Sequence, residues 1–247
     1  MTTYDKFAKK YSDSMGEEGD IYHRTQIDPG IYKIVGDLKG KVIYDIGCGN
    51  GYMARYFEKK GARVYASDVS RKMIKIAMSK SKGMDIAYSA HKATDFSRYK
   101  KESFDVVVMS MVIHYIKDLD ELFKGIVKVL KLGGIFVFSN EHFFRPNYPY
   151  SEWVKGKLKG KDQLFIKVTD YLKSKVIKVT SWWGDTELII HNRPLKEYVN
   201  KLSENNLYVF RVEEPESKGF AKDFPKHLRE SHGIPTFIII GAKKFIL

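Results

Sequence analysis

Between residues 41 and 142 the chain alternates short, continuously apolar runs with segments whose apolar positions recur every three or four residues. The runs "GKVIYDIG", "ARVYASDVS", "MDIAYSA", "SFDVVVMSM" and "IFVFSNE" are short, rich in β-branched and aromatic residues, and bounded by glycine or polar positions. That pattern predicts strands covered on both faces. Among them lie "GYMARYFEKKG", closed by Gly61, then "RKMIKIAMSKSKG" and "LDELFKGIVKVLKLGG", which predict amphipathic helices. Strands alternating with helices imply βαβ units, a parallel sheet and right-handed crossovers. The region before residue 41 reads as helices and loops, with "YDKFAKKY" setting Tyr4, Phe7, Ala8 and Tyr11 on one helical face.

After residue 142 the periodicity weakens. Residues 143–194 hold Phe143, Phe144, Tyr148, Tyr150, Trp153, Phe165, Tyr171, Trp182 and Trp183, with prolines at 146, 149 and 194. The stretch is too aromatic for a linker and is expected to form a cap over a ligand. Regularity returns with a helix from Leu195 to about Asn205, a strand "LYVFRVEE", a loop and a strand "TFIIIGAKK". With no helix between them, those last two strands are expected to pair antiparallel. The chain thus reads as one domain in four parts: a helical extension (1–40), a core (41–142), a cap (143–194) and a C-terminal helix with a strand pair (195–247).

Composition narrows the class. With 247 residues, 43% apolar and 30% charged, the chain can bury a sizeable core and is neither disordered nor membrane-like. Its longest apolar runs are too short to span a bilayer, and its N-terminus lacks the apolar stretch of a signal peptide. A cytoplasmic location and no membrane partner are expected. One cysteine excludes an internal disulfide and a cysteine-rich zinc site, and no metal is expected. The net charge of +13 suits an anionic partner such as RNA. The lysines are nevertheless scattered among acids, with no arginine-rich block, so a merely lysine-rich composition is the favoured reading of the charge.

Candidate chemistry begins at Gly47-Cys48-Gly49-Asn50-Gly51, between a predicted strand and a predicted helix. A turn there presents backbone N–H groups and a positive helix end to a ligand. The spacing is G-x-G-x-G. Tyr52 occupies the third glycine position of the dinucleotide fingerprint, and the Gly-Lys-Ser/Thr of a P-loop is missing. A plain tight turn is the alternative. Asp68, closing the second strand, is placed to accept two hydrogen bonds from ribose hydroxyls. Asp45, two residues before the first glycine, is placed to meet a ligand ammonium. An adenosine bearing an amino-acid tail satisfies all three features, which points to S-adenosylmethionine.

The segments "VIYDIGCGNG", "VYASDVS", "ATDFS", "SFDVVVMSMVIHYIKD" and "LKLGGIFVFSNEH" resemble the class I S-adenosylmethionine-dependent methyltransferases of the type 11 group. The resemblance is strong over residues 40–142 and looser in "RPLKEYVNKL…EEP…IPTFIIIGAKK". It implies a doubly wound, Rossmann-like α/β fold with seven strands in the order 3-2-1-4-5-7-6, strand 7 antiparallel. It also implies that S-adenosylhomocysteine is the product. Carried over position by position, Gly47 and Gly49 lie under the methionine part and Asp68 on the ribose. Val69 and Met73 flank the adenine, with Ala93 and Thr94 at its edge. Met109 and Ser110 approach the sulfonium, and Tyr11 closes the pocket from the N-terminal helix. Many relatives have an aspartate where this chain has Lys92, so either Asp95 or backbone groups take over the adenine amino group, or the adenine is held more loosely.

Methyl transfer is an in-line displacement, in which positioning lowers much of the barrier and a base serves only if the acceptor must lose a proton. Candidate groups beyond strands four and five are His114, Tyr115, Glu141 and His142, of which His114, Glu141 and His142 are the catalytic candidates. His114 follows Ser110 by one helical turn; the competing reading is a hydrogen-bonded core histidine. His23 with Arg24, and His191 with Arg193, suit an acidic substrate or simple helix capping. The acceptor is expected to be a small molecule, aromatic or acidic. A tRNA- or RNA-modifying enzyme and a non-catalytic adenosylmethionine binder are the alternatives. "SMVIH" lacks the Asn/Asp-Pro-Pro-aromatic signature of base N-methylation, and Cys48, inside the turn, cannot serve C5 chemistry.

Overall fold

In the computed structural model, which describes residues 3–144, 151–180, 187–216 and 235–245, the five apolar runs form parallel strands of one sheet. These are β1 (Val42–Ile46), β2 (Arg63–Asp68), β3 (Ile86–Ala90), β4 (Phe104–Ser110) and β5 (Leu130–Glu141). Two hairpins follow, β6 (Ser151–Leu158) with β7 (Lys161–Val168), and β8 (Lys175–Thr180) with β9 (Glu187–Asn192). The chain then returns to the sheet with β10 (Leu207–Glu213) and β11 (Phe237–Lys244). The order is β10-β11-β5-β4-β1-β2-β3, with β11 antiparallel to both its neighbours. Counting β10 and β11 as the sixth and seventh core strands gives the expected 3-2-1-4-5-7-6.

Strand alternation divides the core into two layers. Ile43, Val106, Val108 and Val137 face the side covered by α2 (Asp28–Val35) and α3 (Tyr52–Lys59), against Ile31, Met53 and Phe57. Tyr44, Val107, Met109, Phe136 and Phe138 face the side covered by α5 (Leu119–Val129) and α6 (Leu195–Glu204), against Phe123, Ile126 and Tyr198. Each fully buried side chain of this size contributes about 1.5–3 kcal/mol. The central strands therefore hold the site's floor rigid. The N-terminal α1 (Thr3–Met15) packs on α4 (Arg71–Lys80), and a π-helical turn, His23–Ile27, leads into α2.

Two features differ from the sequence expectation. The helix predicted through "LKLGG" stops at Val129, where Leu130 turns extended (φ −70°, ψ 137°) and pairs with Phe104. Gly133, at φ +74°, then lets the chain bend within β5. The weakly periodic stretch after residue 142 forms hairpins. The strand β8 alternates half-buried and exposed positions, and a single covered face carries too little apolar signal to announce a strand. Of the aromatic residues and prolines read there, Tyr148, Tyr150, Trp182, Trp183, Pro146 and Pro149 lie outside the described residues. Among the described residues no helix is long and apolar enough to cross a membrane.

Candidate functional site

The glycine turn explains its own composition. Gly47, Gly49 and Gly51 all have positive φ (+74°, +54° and +78°), a region costly for other residues. Space is equally short. A Cβ on Gly47 would lie 2.4 Å from Val112, one on Gly51 2.5 Å from the Tyr88 hydroxyl, and one on Gly49 3.2 Å from the Tyr11 ring. The N–H groups of Gly47 and Cys48 both donate to the Ser67 carbonyl, at 2.7 and 2.9 Å, tying the turn to the end of β2.

Asp68 continues that tie. Its Oδ2 accepts from Gly49 N–H at 3.1 Å and its Oδ1 from Ser70 N–H at 2.8 Å. Burial pushes its carboxyl up to about 6, opposed by those two hydrogen bonds. Ser70 caps α4 by accepting from Met73 N–H, and its hydroxyl donates to Asp5 Oδ1 at 2.7 Å. Asp5 thus fastens α1 beside the turn and brings Tyr11 over Gly49.

A cleft of about 760 Å³ opens there. Tyr11, Gly47, Gly49, Asp68, Val69, Met73, Ala93, Thr94 and Ser110 line it, as does Lys92. Val69 is 45% exposed, an apolar surface without a cover at the cleft wall. Tyr115, a candidate from the sequence, also lines it, whereas sequence reasoning missed Tyr4, His91, Met111, Val112, and Leu188 and Ile189 of β9. Tyr4 was legible in part, because it shares a helical face with Tyr11. Its hydroxyl donates to that of Tyr115 at 2.8 Å, and its ring meets those of Tyr11 and Tyr115 edge-on at 6.0 and 5.9 Å. Burial pushes all three phenols up, so they are neutral walls. Met111 holds φ +54°, with its N–H donating to Ser139 Oγ at 3.0 Å.

Other expected residues lie elsewhere. Asp45 is buried beside the turn, where its Oδ2 has no hydrogen-bond partner; burial first, then the charges of Asp68 and Asp28, push its carboxyl up to about 7. It faces a small cavity next to the main cleft, together with Gly47, Ser110 and His23. Met109 does not approach the cleft: alternation along β4 sends it into the α5 side of the core, fully buried, while Ser110 points the other way. The walls of the cleft also omit the three catalytic candidates. His114 is buried with Nδ1 2.9 Å from Asn140 Oδ1, and burial pushes its imidazole down to about 4. Glu141 pairs with Phe237 in the sheet. His142 Nε2 lies 2.9 Å from Glu214 Oε1, and its Nδ1 accepts from Phe144 N–H.

Arg193 has a supporting part. Its Nη2 donates to the carbonyls of Ile116 and Lys117, at 2.9 and 2.7 Å, while its Nε pairs with Glu197. This fixes the segment after β4 that forms one wall. Among the described residues no three His, Cys, Asp or Glu side chains converge as a metal site.

Comparison with known proteins agrees with this geometry. Residues 44–138 match the family model described as a methyltransferase domain. The chain is 27% identical over 230 residues to a ubiquinone biosynthesis O-methyltransferase of Idiomarina loihiensis, covering 88% of this chain and 93% of that protein. It is 26% identical over 231 residues to an uncharacterized protein of Haemophilus influenzae, covering 87% and 86%. Among solved structures, an S-adenosylmethionine-dependent methyltransferase from Mesorhizobium loti superposes with a TM-score of 0.74 at 26% identity, covering 87% of this chain and 96% of that one.

Proposed function

We propose, from the premise that the chain belongs to the class I S-adenosylmethionine-dependent methyltransferases, that it methylates a hydroxyl of a small, partly aromatic or acidic molecule. The observation that carries this reading is the cleft itself. Its volume of about 760 Å³ falls in the range of small-molecule sites, and its wall joins a glycine turn to an apolar, tyrosine-rich end. The name of the Idiomarina relative supports transfer to oxygen.

Bound S-adenosylmethionine supplies an electrophilic methyl on sulfur and leaves as S-adenosylhomocysteine. The residues fit such a donor at both ends. At the turn, the unpartnered Oδ2 of Asp45 suits an ammonium, and the glycines admit backbone contact. Asp68 keeps acceptor capacity for ribose hydroxyls beyond its two backbone bonds. The exposed face of Val69 and the buried Met73 suit an adenine ring, with Ala93 and Thr94 at its edge and Lys92 in place of the common acid.

Tyr4, Tyr11 and Tyr115 exclude water on one side of the transfer site. Leu188 and Ile189 of β9 also line the cleft, which supports residues 143–194 as a cap over the acceptor. With His114 held by Asn140 and not facing the cleft, positioning lowers the barrier: the acceptor oxygen bonds the methyl as the donor's C–S bond breaks, and the hydroxyl proton passes to solvent water. The test is a screen with labelled donor against phenols, carboxylic acids, amines and total tRNA. Methyl incorporation into a small hydroxylated acid or phenol is expected. Methylation of tRNA, with tight binding that survives about 200 mM salt, overturns the reading.

A further inference from the structure

The hairpin β6–β7 pairs without a break from Ser151↔Val168 to Leu158↔Lys161, and among the described residues neither strand packs broadly on another element. A lone two-stranded ribbon is marginal in water, so its own contacts must hold its shape. The connecting residues, Lys159 and Gly160, have φ of +49° and +76°, and two positive-φ residues match the twist of the strands they join. Phe165, half-buried opposite Val154, lays its ring against Gly156, where a Cβ would sit 2.9 Å away. The ribbon is therefore shaped up to its tip.

That tip is basic. Lys155, Lys157, Lys159 and Lys161 are all exposed, and among the described residues none of the four has a hydrogen bond or ion pair. Of the acids on the ribbon, Glu152 pairs with Lys167 at 3.2 Å and Asp162 faces Lys157 across the ladder. Several lysines elsewhere are matched, as Lys9 is by Asp13, Lys33 by Glu213 and Lys131 by Asp105. Leu158, 51% exposed, stands out between Lys157 and Lys159. Strand alternation sets Trp153 on the same face as Lys155 and Lys157.

We propose that this tip docks on an anionic membrane surface, the lysines meeting lipid phosphates while Leu158 enters the interface. Charge alone suits RNA equally well. A leucine held out among the lysines gains nothing from a hydrated phosphate groove, whereas basic charge joined to apolar burial is what keeps a peripheral protein on a membrane. The expectation of no membrane partner rested on the lack of spanning runs, which concerns crossing a bilayer and not lying on it. The proposal stands apart from the donor reading, and either can fail without the other.

The experiment is co-sedimentation of the full chain with vesicles of phosphatidylcholine, alone or with about 30% phosphatidylglycerol, at about 50 mM salt. Binding to the anionic vesicles only is expected. Replacing Lys155, Lys157, Lys159 and Lys161 together by Gln should weaken it about tenfold or more. A second variant with Lys100, Lys101, Lys124 and Lys128 replaced by Gln carries the same net charge and should lose less than about twofold. Leu158→Ser should cost about threefold with every charge intact. An unchanged melting temperature shows that each variant is folded. Equal binding to both vesicles, no binding to either, or equal loss in the two lysine variants overturns the proposal. So does release from the vesicles by total tRNA that binds more tightly through the same four lysines.

Discussion

Asp45 offers the sharpest test of how this site departs from what stability alone would select. Its carboxyl is buried, one oxygen lacks a partner, and burial holds it at about 7, against about 3.9 for an ordinary aspartate. A carboxyl with a raised folded pKa stabilises the fold fully below its unfolded pKa. The contribution falls as pH rises toward the folded value, because the folded state then holds a proton that the unfolded state has released. Three pH units at 1.36 kcal/mol each give about 4 kcal/mol in total, of which roughly 2–3 kcal/mol is lost between pH 5 and pH 8. Asp45→Asn removes this dependence while keeping the shape. Urea unfolding of both proteins without ligand, at unit intervals from pH 5 to pH 8, should show the variant gaining on the wild type by that amount as pH rises. Asp28 and Asp68, each pushed up to about 6, slope the same way but are present in both proteins. Parallel pH profiles would refute the claim that Asp45 is buried without a counter-charge. The same variant should bind S-adenosylhomocysteine about tenfold more weakly, so stability and binding move in opposite directions.

Three further outcomes follow from the geometry. Gly47→Ala brings a Cβ to within 2.4 Å of Val112 at a positive φ, and should lower the melting temperature and abolish measurable S-adenosylhomocysteine binding in calorimetry. Asp68→Ala should weaken the same ligand by about thirtyfold, equivalent to about 2 kcal/mol, and unchanged affinity would remove Asp68 from the ribose. Hydrogen exchange in β6 through β9 should slow when S-adenosylhomocysteine is added, and equal protection in both states would count against a cap that closes.

The sheet was legible because each buried strand carries its evidence locally. "SFDVVVMSM" needs no partner to be read as covered on both faces, and the lack of a helical pattern in the sequence between the last two apolar runs implied the antiparallel pairing that β10 and β11 make. The glycine turn was legible for a similar reason: three glycines in five positions signal positive φ and close approach, and both are present. Met109 was misplaced because the resemblance places a residue near a ligand without stating which face of β4 it occupies. Its neighbour Ser110 faces the cleft and it does not. His114 shows the matching error for chemistry. Its spacing from Ser110 suggested a side chain over the donor, but its position depends on Asn140, twenty-six residues away, which no local pattern announces. The wall formed by Leu188 and Ile189 was illegible for the same reason, since a hairpin's docking depends on contacts distant in sequence.

The arrangement of acids carries one more consequence for turnover. Burial raises the carboxyls of Asp45, Asp68 and Asp28, and the charges of Asp68 and Asp28 raise that of Asp45 further, so the ligand-free site holds excess negative potential in a poorly solvated place. Under the donor reading, S-adenosylmethionine arrives with a sulfonium and an ammonium, and both positive charges relieve that repulsion. Methyl transfer removes the sulfonium charge and leaves a neutral thioether. The acids thus favour the donor over the product by electrostatics alone, at a step where shape scarcely changes. Under that reading the glycine turn and Val69 shape the nucleoside site equally for both ligands. The buried, poorly compensated carboxylates are what distinguish a methyl donor from its spent form, and their cost appears in the pH dependence of folding.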